Sequence, residues 1–209
     1  MNAAATLSIG LVRYGAGNAG AVRAALRALG AHVVDVRSAA ALADPTLTAL
    51  VLPGVGAMPS AVAGLRARGL WRGLRERVER GLPLLGVCLG MQLLFGPSDE
   101  GDAGLGLLPG RTARLDGRVP HLGWELVRPI GRSALFASWD GPAYAYFAHS
   151  YAVVDAPAAV VAAVAARDEG ELVAAVASPP VYGVQFHPER SQGAGRAVLA
   201  AFLATVART

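Results

Sequence analysis

The chain contains a single cysteine among its 209 residues, and this scarcity excludes a whole class of proteins. One cysteine cannot close an internal disulfide, so a disulfide-stapled extracellular domain is excluded. An unpaired thiol suits a reducing compartment instead, and no basic residue precedes the first apolar run, as one would in a signal peptide. The sequence therefore predicts a cytoplasmic protein.

Apolar runs of membrane-spanning length are also missing. The two longest apolar stretches, 82–95 and 152–166, are interrupted by proline and by polar residues, so neither is expected to cross a bilayer. Hydrophobic residues nevertheless make up 54% of the chain, which is enough for a large core. We expect a single domain over residues 1–209 and no membrane partner.

Lysine is absent, so all 19 basic residues are arginine, and the formal net charge is +4. The arginines are scattered over predicted helix faces, and no basic stripe is interleaved with aromatic residues. Surfaces that bind nucleic acids concentrate both. The sequence therefore predicts no nucleic-acid partner, whereas an acidic protein or a phosphorylated metabolite is compatible with the charge.

Apolar runs of strand length alternate with helical spacing in the first half of the chain. Strands are predicted at 7–12, 32–36, 49–52 and directly before Cys88, with helices at 19–29, 60–68 and 70–80. This alternation predicts an α/β fold, with a mostly parallel central sheet and helices on both faces. After a glycine-rich loop at 96–110, short strand-like runs predict a small antiparallel addition. A last buried strand at 181–186 and a helix at 195–207 follow.

The one cysteine stands where a nucleophile would stand. An apolar run leads into the turn Gly86-Val87-Cys88-Leu89-Gly90, and a segment with helical spacing follows. A sharp strand-to-helix turn of this kind, a nucleophile elbow, holds a reactive side chain at the edge of a sheet. The flanking glycines let the backbone bend, and the helix start offers N–H groups to a thiolate. The alternative interpretation is a buried cysteine that only fills space.

A catalytic cysteine needs a base and a group that orients this base. His187 is the best candidate among the four histidines, because it follows the predicted strand at 181–186, and parallel sheets carry active sites at strand ends. In an extended segment, Glu189 would point to the same side and hold the imidazole ring. A surface His-Pro-Glu turn is the alternative for these residues. His32 and His121 are interpreted as structural, or for His121 as interfacial.

The third requirement is an oxyanion hole, in which backbone N–H groups face the developing negative charge. One predicted donor is the amide of Leu89, directly after the nucleophile. The other is Val55, in the glycine-rich turn 53–56 that ends the third predicted strand. Such turns are common at strand ends and mean little alone. Together with Cys88 and His187, the turn completes an acyl-transfer site.

Three motifs together resemble the class I glutamine amidotransferases. They are Leu-Pro-Gly-Val-Gly-Ala at 52–57, Gly-Val-Cys-Leu-Gly-Met-Gln at 86–92 and Gln-Phe-His-Pro-Glu-Arg-Ser at 185–191. Within this family, the stretches 14–18, 100–110, 120–124 and 146–151 resemble the glutaminase subunits of imidazole glycerol phosphate synthases. Two positions depart from the usual pattern: Arg13 stands where an acidic residue is usual, and Glu125 where asparagine is usual.

The resemblance implies a reaction and a set of site residues. L-Glutamine is expected to be hydrolysed to glutamate and ammonia through a glutamyl thioester on Cys88, with His187 as acid and base and Glu189 orienting it. Neither a cofactor nor a metal ion is implied. The residues implied in substrate binding are Gly54, Gly56, Gln92, His149, Ser150 and Tyr151.

The resemblance also implies a partner in histidine biosynthesis. Ammonia released into neutral water is protonated and loses its nucleophilicity, so it has to travel along a path that excludes water. The implied receiver is a (β/α)₈-barrel cyclase subunit that makes imidazole glycerol phosphate and aminoimidazole carboxamide ribotide. This chain has no phosphate-binding signature, which agrees with that chemistry belonging to the partner. We expect little glutaminase activity from the chain without its partner.

Two alternatives stay open. A glutaminase subunit of another amidotransferase, such as pyridoxal phosphate synthase, would share the cysteine, histidine and glutamate, but it tends to place Glu-Ser after a Pro-Gly-Gly turn, where this chain reads Gly-Val-Gly-Ala. A non-enzymatic relative with an elbow cysteine is the second alternative. Such a protein would not need Glu189 or the turn 53–56.

Overall fold

A nine-stranded sheet runs through the residues that the computed structural model describes, which are 7–15, 18–168 and 170–208. Ala16 and Gly17, part of the predicted first turn, lie outside these ranges. These ranges contain eleven strands, of which all but β5 and β8 belong to this sheet. They are β1 (Ser8–Val12), β2 (His32–Val36), β3 (Ala49–Gly54), β4 (Leu84–Cys88), β5 (Arg111–Arg114), β6 (His121–Pro129), β7 (Ala143–His149), β8 (Tyr151–Val154), β9 (Val161–Arg167), β10 (Gly170–Ser178) and β11 (Val181–Val184).

In spatial order the sheet reads β2-β1-β3-β4-β11-β10-β9-β6-β7. The strands from β2 to β11 are parallel. From β10 onward the strands continue the same sheet in antiparallel pairing, and β5 pairs with β8 in a separate two-stranded antiparallel sheet. The predicted α/β class is confirmed, and most of the antiparallel addition extends the central sheet itself.

Helices cover both faces of the sheet. They are α1 (Ala19–Arg27), α2 (Ala39–Leu42), α3 (Met58–Ala67), α4 (Leu70–Glu79), α5 (Leu89–Gln92) and α6 (Gln192–Val206), with 3₁₀ turns at Ala134–Phe136 and Pro188–Arg190. On one face Leu26 of α1 shares a core with Val87, and on the other Leu74 of α4 shares a core with Leu50. Among the described residues, no helix is both long and apolar enough to cross a membrane.

The predicted elements appear near their expected bounds, with several differences. β11 ends at Val184 instead of Phe186, and α6 begins at Gln192 instead of Gly195. β3 extends through Gly54 instead of ending at Leu52. The short helix α2 was not predicted, because its sequence Ala-Ala-Ala-Leu carries no apolar period. β3 and β4 are buried over their whole length because both faces of the sheet are covered.

The parallel half of the sheet brings the three sequence motifs to one edge. β3 ends at Gly54 and β4 at Cys88, and the strand register pairs these two residues. β11 lies on the other side of β4, and a short connection leads from its end to His187. Because the carboxyl ends of parallel strands share an edge, the fold gathers the turn, the cysteine and the histidine.

Candidate active site

The backbone at Cys88 has the strained geometry of a nucleophile elbow. Its φ is 54° and its ψ is −114°. Cys88 is the last residue of β4, and α5 begins at the next residue, Leu89. A positive φ is uncommon outside glycine and persists only where the surroundings enforce it. Gly90 is part of that enforcement, because a Cβ at this position would lie 1.7 Å from the carbonyl oxygen of Leu52.

Glu189 contacts the imidazole ring of His187, and the sequence predicts this proximity. The Nδ1 atom of His187 lies 3.0 Å from Oε1 of Glu189, and both side chains are buried. The expected backbone was extended, and this expectation was wrong, because Pro188–Arg190 forms a 3₁₀ turn. The turn brings the carboxylate within hydrogen-bonding distance of Nδ1, so the contact forms by tight folding of the chain.

The environment of His187 favours its charged form. Burial alone would lower the pKa of the imidazole, but hydrogen bonds to Cys88 and Glu189, together with their charges, raise it to about 10. An opposite charge close to a titratable group stabilises its charged form. At neutral pH, His187 is therefore an imidazolium between the cysteine and the glutamate, and its Nδ1–H donates to Glu189.

Ser191 fixes the His187 turn to the neighbouring strand β7. Its hydroxyl donates to the carbonyl of His187 at 2.7 Å and accepts from the amide of Tyr146 at 2.9 Å. The amide of His187 in turn donates to the carbonyl of Tyr146 at 2.8 Å. The guanidinium of Arg190 lies 4.5 Å from the centroid of the Tyr146 ring. These contacts leave the imidazole little freedom to move away from Cys88.

The glycine-rich turn after β3 stands beside the nucleophile. The hydroxyl of the buried Tyr14 donates to the carbonyl of Pro53 at 2.9 Å, and Gly56 has a φ of +99°. A Cβ at Gly54 would lie 2.5 Å from the Tyr14 hydroxyl and 2.9 Å from the amide of Gly90. Only glycine at position 54 allows the turn and the elbow to approach this closely.

A cavity of about 390 Å³ opens next to Cys88. Gly54 packs against the elbow without lining this cavity, and His187 reaches it only through its contact with Cys88. The cavity brings together most of the predicted site residues with four that were not predicted to bind: Glu100, Pro120, Leu122 and Ala148. Its lining consists of Val55, Gly56, Cys88, Leu89, Gln92, Glu100, Pro120, Leu122, Ala148, His149, Ser150 and Tyr151.

His149 lines this cavity and keeps one ring nitrogen as an unused hydrogen-bond acceptor. Burial, more than any other influence, lowers the pKa of its imidazole to about 3, so the ring is neutral. The Nδ1 atom lies 2.9 Å from the carbonyl of Tyr151 and must donate to it, which leaves Nε2 as an acceptor. Within the described part of the chain, this buried Nε2 has no hydrogen-bond partner.

Three residues near the nucleophile were not predicted as site residues from the sequence. Gln185 is fully buried and lies 3.7 Å from the sulfur of Cys88, measured from Nε2. Glu100 lines the cavity and accepts a hydrogen bond from the amide of Met58. The third is Tyr14, which holds the glycine turn. The available signals were an amide inside an apolar strand and an acidic residue in a glycine-rich loop, and neither indicates its neighbours in space.

No group of three or more histidine, cysteine, aspartate or glutamate side chains in the described ranges is arranged to hold a metal ion. None of the arginines in the described ranges lines the cavity next to Cys88. The polar side chains that line this cavity carry one carboxylate, a neutral imidazole, an amide and hydroxyls. The site is therefore built for a small polar molecule.

Comparison with known proteins agrees with this geometry. The family described as glutamine amidotransferase class-I matches residues 11–206. Imidazole glycerol phosphate synthase subunit HisH of Symbiobacterium thermophilum is 47% identical over 197 residues, which cover 91% of this chain and 90% of that protein. The HisH subunit of a Synechococcus species is 42% identical over 202 residues, covering 94% of each chain.

Solved structures show the same fold at low identity. A crystal structure of a glutamine amidotransferase has a TM-score of 0.76 at 24% identity and covers 96% of this chain and 99% of that chain. The structure of PurLQS from Thermotoga maritima has a TM-score of 0.77 at 21% identity, with the same coverage. The predicted resemblance is confirmed: this chain belongs to the class I glutamine amidotransferases, within the family of imidazole glycerol phosphate synthase subunit HisH.

Proposed function

We propose that this chain is the glutaminase subunit of an imidazole glycerol phosphate synthase, and that it hydrolyses L-glutamine at Cys88. The observation that carries the proposal is the contact of Cys88 with a buried His187–Glu189 pair at one end of a polar cavity. The names of the relatives support the choice of synthase. The names of these relatives do not support the alternative of a pyridoxal phosphate synthase subunit.

The first half of the reaction forms a thioester. The Cys88 thiolate attacks the side-chain carbonyl carbon of glutamine, and the amides of Leu89 and Val55 donate to the oxyanion that develops. The His187 imidazolium then protonates the amide nitrogen, and the C–N bond breaks to release ammonia. Glu189 stays charged and holds the ring in the orientation that delivers the proton.

The second half releases glutamate. His187, now neutral, takes a proton from a water molecule that attacks the thioester carbonyl. The same two amides stabilise the second oxyanion. The C–S bond breaks, Cys88 leaves as a thiolate, and the protonated His187 again pairs with it, as at the start of the cycle.

The cavity offers acceptors for the α-ammonium group of glutamine. Glu100 and His149 both line this space, and the lone pair on Nε2 of His149 has no hydrogen-bond partner among the described residues. The amide nitrogen of Gln92 donates to the carbonyl of Tyr151 at 2.6 Å and to Gln185 at 3.1 Å, so its oxygen is the atom that remains for a ligand. Together these groups suit a cation better than an uncharged amide.

A partner is proposed to dock on the exposed apolar face at the β6–β7 end of the sheet. Leu122 and Tyr144 are 64% and 62% exposed, and Trp124 and Leu126 are also exposed. The register pairs Trp124 with Tyr146 and Leu126 with Tyr144, so these side chains share one face. Contiguous exposed apolar surface marks interaction sites. Leu122 also lines the cavity, which connects this face to the nucleophile.

A barrel-shaped cyclase on this face would receive ammonia before water protonates it. Covering the face also seals the cavity mouth, since Leu122 belongs to both. Because Cys88 has to stay reduced to act as a nucleophile, we place the complex in the cytoplasm.

The test is reconstitution of the chain with a candidate cyclase and its nucleotide. Cys88→Ala is expected to abolish glutamine-dependent product while leaving ammonia-dependent product unchanged, because only the hydrolytic step uses the thiol. A glutamine-like chloroketone should label the wild-type thiol, and excess glutamine should block the label. Retained glutamine-dependent activity in Cys88→Ala would refute the proposal.

A further inference from the structure

A fully buried amide faces the sulfur of Cys88 from the strand β11 side of the elbow. The side chain of Gln185 has no exposed surface, and its Nε2 atom lies 3.7 Å from the Cys88 sulfur. An amide group at 0% exposure has to satisfy both its donors and its acceptor inside the protein. The neighbours of Gln185 therefore determine which end of the amide faces the cysteine.

A chain of hydrogen bonds fixes the orientation of this amide. The nitrogen of Gln92 donates to the carbonyl of Tyr151, which can only accept, so the Gln92 amide cannot be reversed without losing that bond. The same nitrogen donates to the oxygen of Gln185 at 3.1 Å. With its oxygen so engaged, Gln185 turns its N–H group towards Cys88.

The other groups around the sulfur do not replace this donor. His187 approaches from the turn after β11 and carries the proton that the reaction uses. The carbonyl of Ala148 on β7 lies 4.0 Å away and can only accept. Tyr14, two residues after β1, is neutral, because burial raises the pKa of its phenol above the usual range, and its hydroxyl donates to the carbonyl of Pro53.

We infer that Gln185 is a further catalytic residue: its side-chain N–H donates to the Cys88 thiolate and holds it for attack. Hydrogen bonds to a charged acceptor are stronger than those between neutral groups. The bond favours the thiolate over the thiol before the attack, weakens when the sulfur becomes a thioester, and returns when the thiolate leaves, so it stabilises the leaving group of the second half. This inference deepens the proposed function and rests on it for the role of Cys88.

The test is the rate at which iodoacetamide alkylates Cys88 in the full chain, measured from pH 5 to pH 10. Alkylation needs the thiolate but neither glutamine, an oxyanion hole nor a partner. In Gln185→Leu, the midpoint of the rate against pH is expected to rise by about one unit, which slows alkylation about tenfold below the midpoint. The rates should converge at high pH.

Gln185→Met is a second variant that removes the donor and keeps an unbranched side chain. A thioether offers no N–H, and it carries no charge that would act on the sulfur by itself. Its midpoint is expected to rise by about as much as that of Gln185→Leu. The matched control is Thr112→Val, which removes another buried polar group, on β5, and should leave the midpoint unchanged.

The inference is overturned if folded Gln185→Met keeps the wild-type midpoint, or if Thr112→Val shifts it equally. Should Gln185→Leu fail to fold, Gln185→Met decides alone, because it keeps an unbranched side chain of similar length. A complex without glutaminase activity would remove the proposed function but not the alkylation result. The two failures are therefore distinguishable.

Discussion

Replacing Glu189 by glutamine tests the buried pair that prepares His187 for catalysis. The change keeps the size of the side chain and its hydrogen-bonding oxygen but removes the negative charge 3.0 Å from the imidazole. Cys88 and Glu189 together raise the pKa of His187 from 6.5 to about 10. One pKa unit corresponds to about 1.4 kcal/mol, so the whole shift represents about 5 kcal/mol.

Glu189 provides only part of this stabilisation, because Cys88 also raises the pKa. A hydrogen bond to a charged group contributes about 2 kcal/mol, which corresponds to about 30-fold in rate. We therefore expect kcat for glutamine hydrolysis in the Glu189→Gln complex to fall at least about 30-fold. KM for glutamine should change little, since Glu189 does not line the cavity.

The pH dependence has a definite sign. Because the pKa of His187 is raised, its protonated form persists in the wild-type protein until the pH passes about 10. In Glu189→Gln the pKa of His187 falls, so the loss of activity at alkaline pH is expected to begin at a lower pH than in the wild-type protein. The measurement is kcat/KM against pH in the reconstituted complex, where the alkaline limb reports the free enzyme.

The control for this experiment is Glu171→Gln, which removes an exposed carboxylate paired with Arg128 on the surface. Its kcat and alkaline limb should match those of the wild type, because an exposed pair contributes little. An unchanged alkaline limb in Glu189→Gln, with kcat within twofold of the wild-type value, would refute the role of Glu189 as the group that holds His187.

Further predictions concern the glycine turn and the apolar face. Gly54→Ala should reduce kcat by about 10²-fold or more, because its Cβ would displace the turn that carries one oxyanion donor; steady-state kinetics and unimpaired iodoacetamide labelling check this. Tyr14→Phe should reduce kcat about tenfold by freeing the carbonyl of Pro53, with a loss below twofold counting against it. Trp124→Ala should weaken cyclase binding at least about tenfold in calorimetry, while thermal unfolding of the chain changes little; unchanged affinity would exclude Trp124 from the interface.

Local patterns in the sequence predicted much of the parallel half. The strand before Cys88 and the glycines around it were recognisable because a tight strand-to-helix turn imposes requirements on its own neighbours. The pairing of His187 with Glu189 was also predicted, although an extended backbone was expected and a 3₁₀ turn makes the contact. Residues two apart stay close in either conformation, so the prediction was robust to the error.

Contacts between residues far apart in the chain could not be predicted from the sequence. Gln185 and Cys88 are separated by 97 positions, and Tyr14 and Pro53 by 39. The sequence shows that an amide in an apolar strand needs hydrogen-bond partners, but it does not show which residues these are. The partners depend on which strands are neighbours and on the register between them. Glu100 illustrates the same limit, since its loop position does not indicate the cavity it lines.

The sequence by itself determined the α/β class, the elbow at Cys88 and the pairing of His187 with Glu189, because each depends on residues close together in the chain. Only the tertiary structure decided what surrounds the sulfur: the amide of Gln185, the hydroxyl of Tyr14 near the turn, and the cavity in front. The order and register of β3, β4 and β11 set these neighbours. Strand order in the parallel half follows from burying these strands between two helical layers, a condition that no single stretch of sequence expresses.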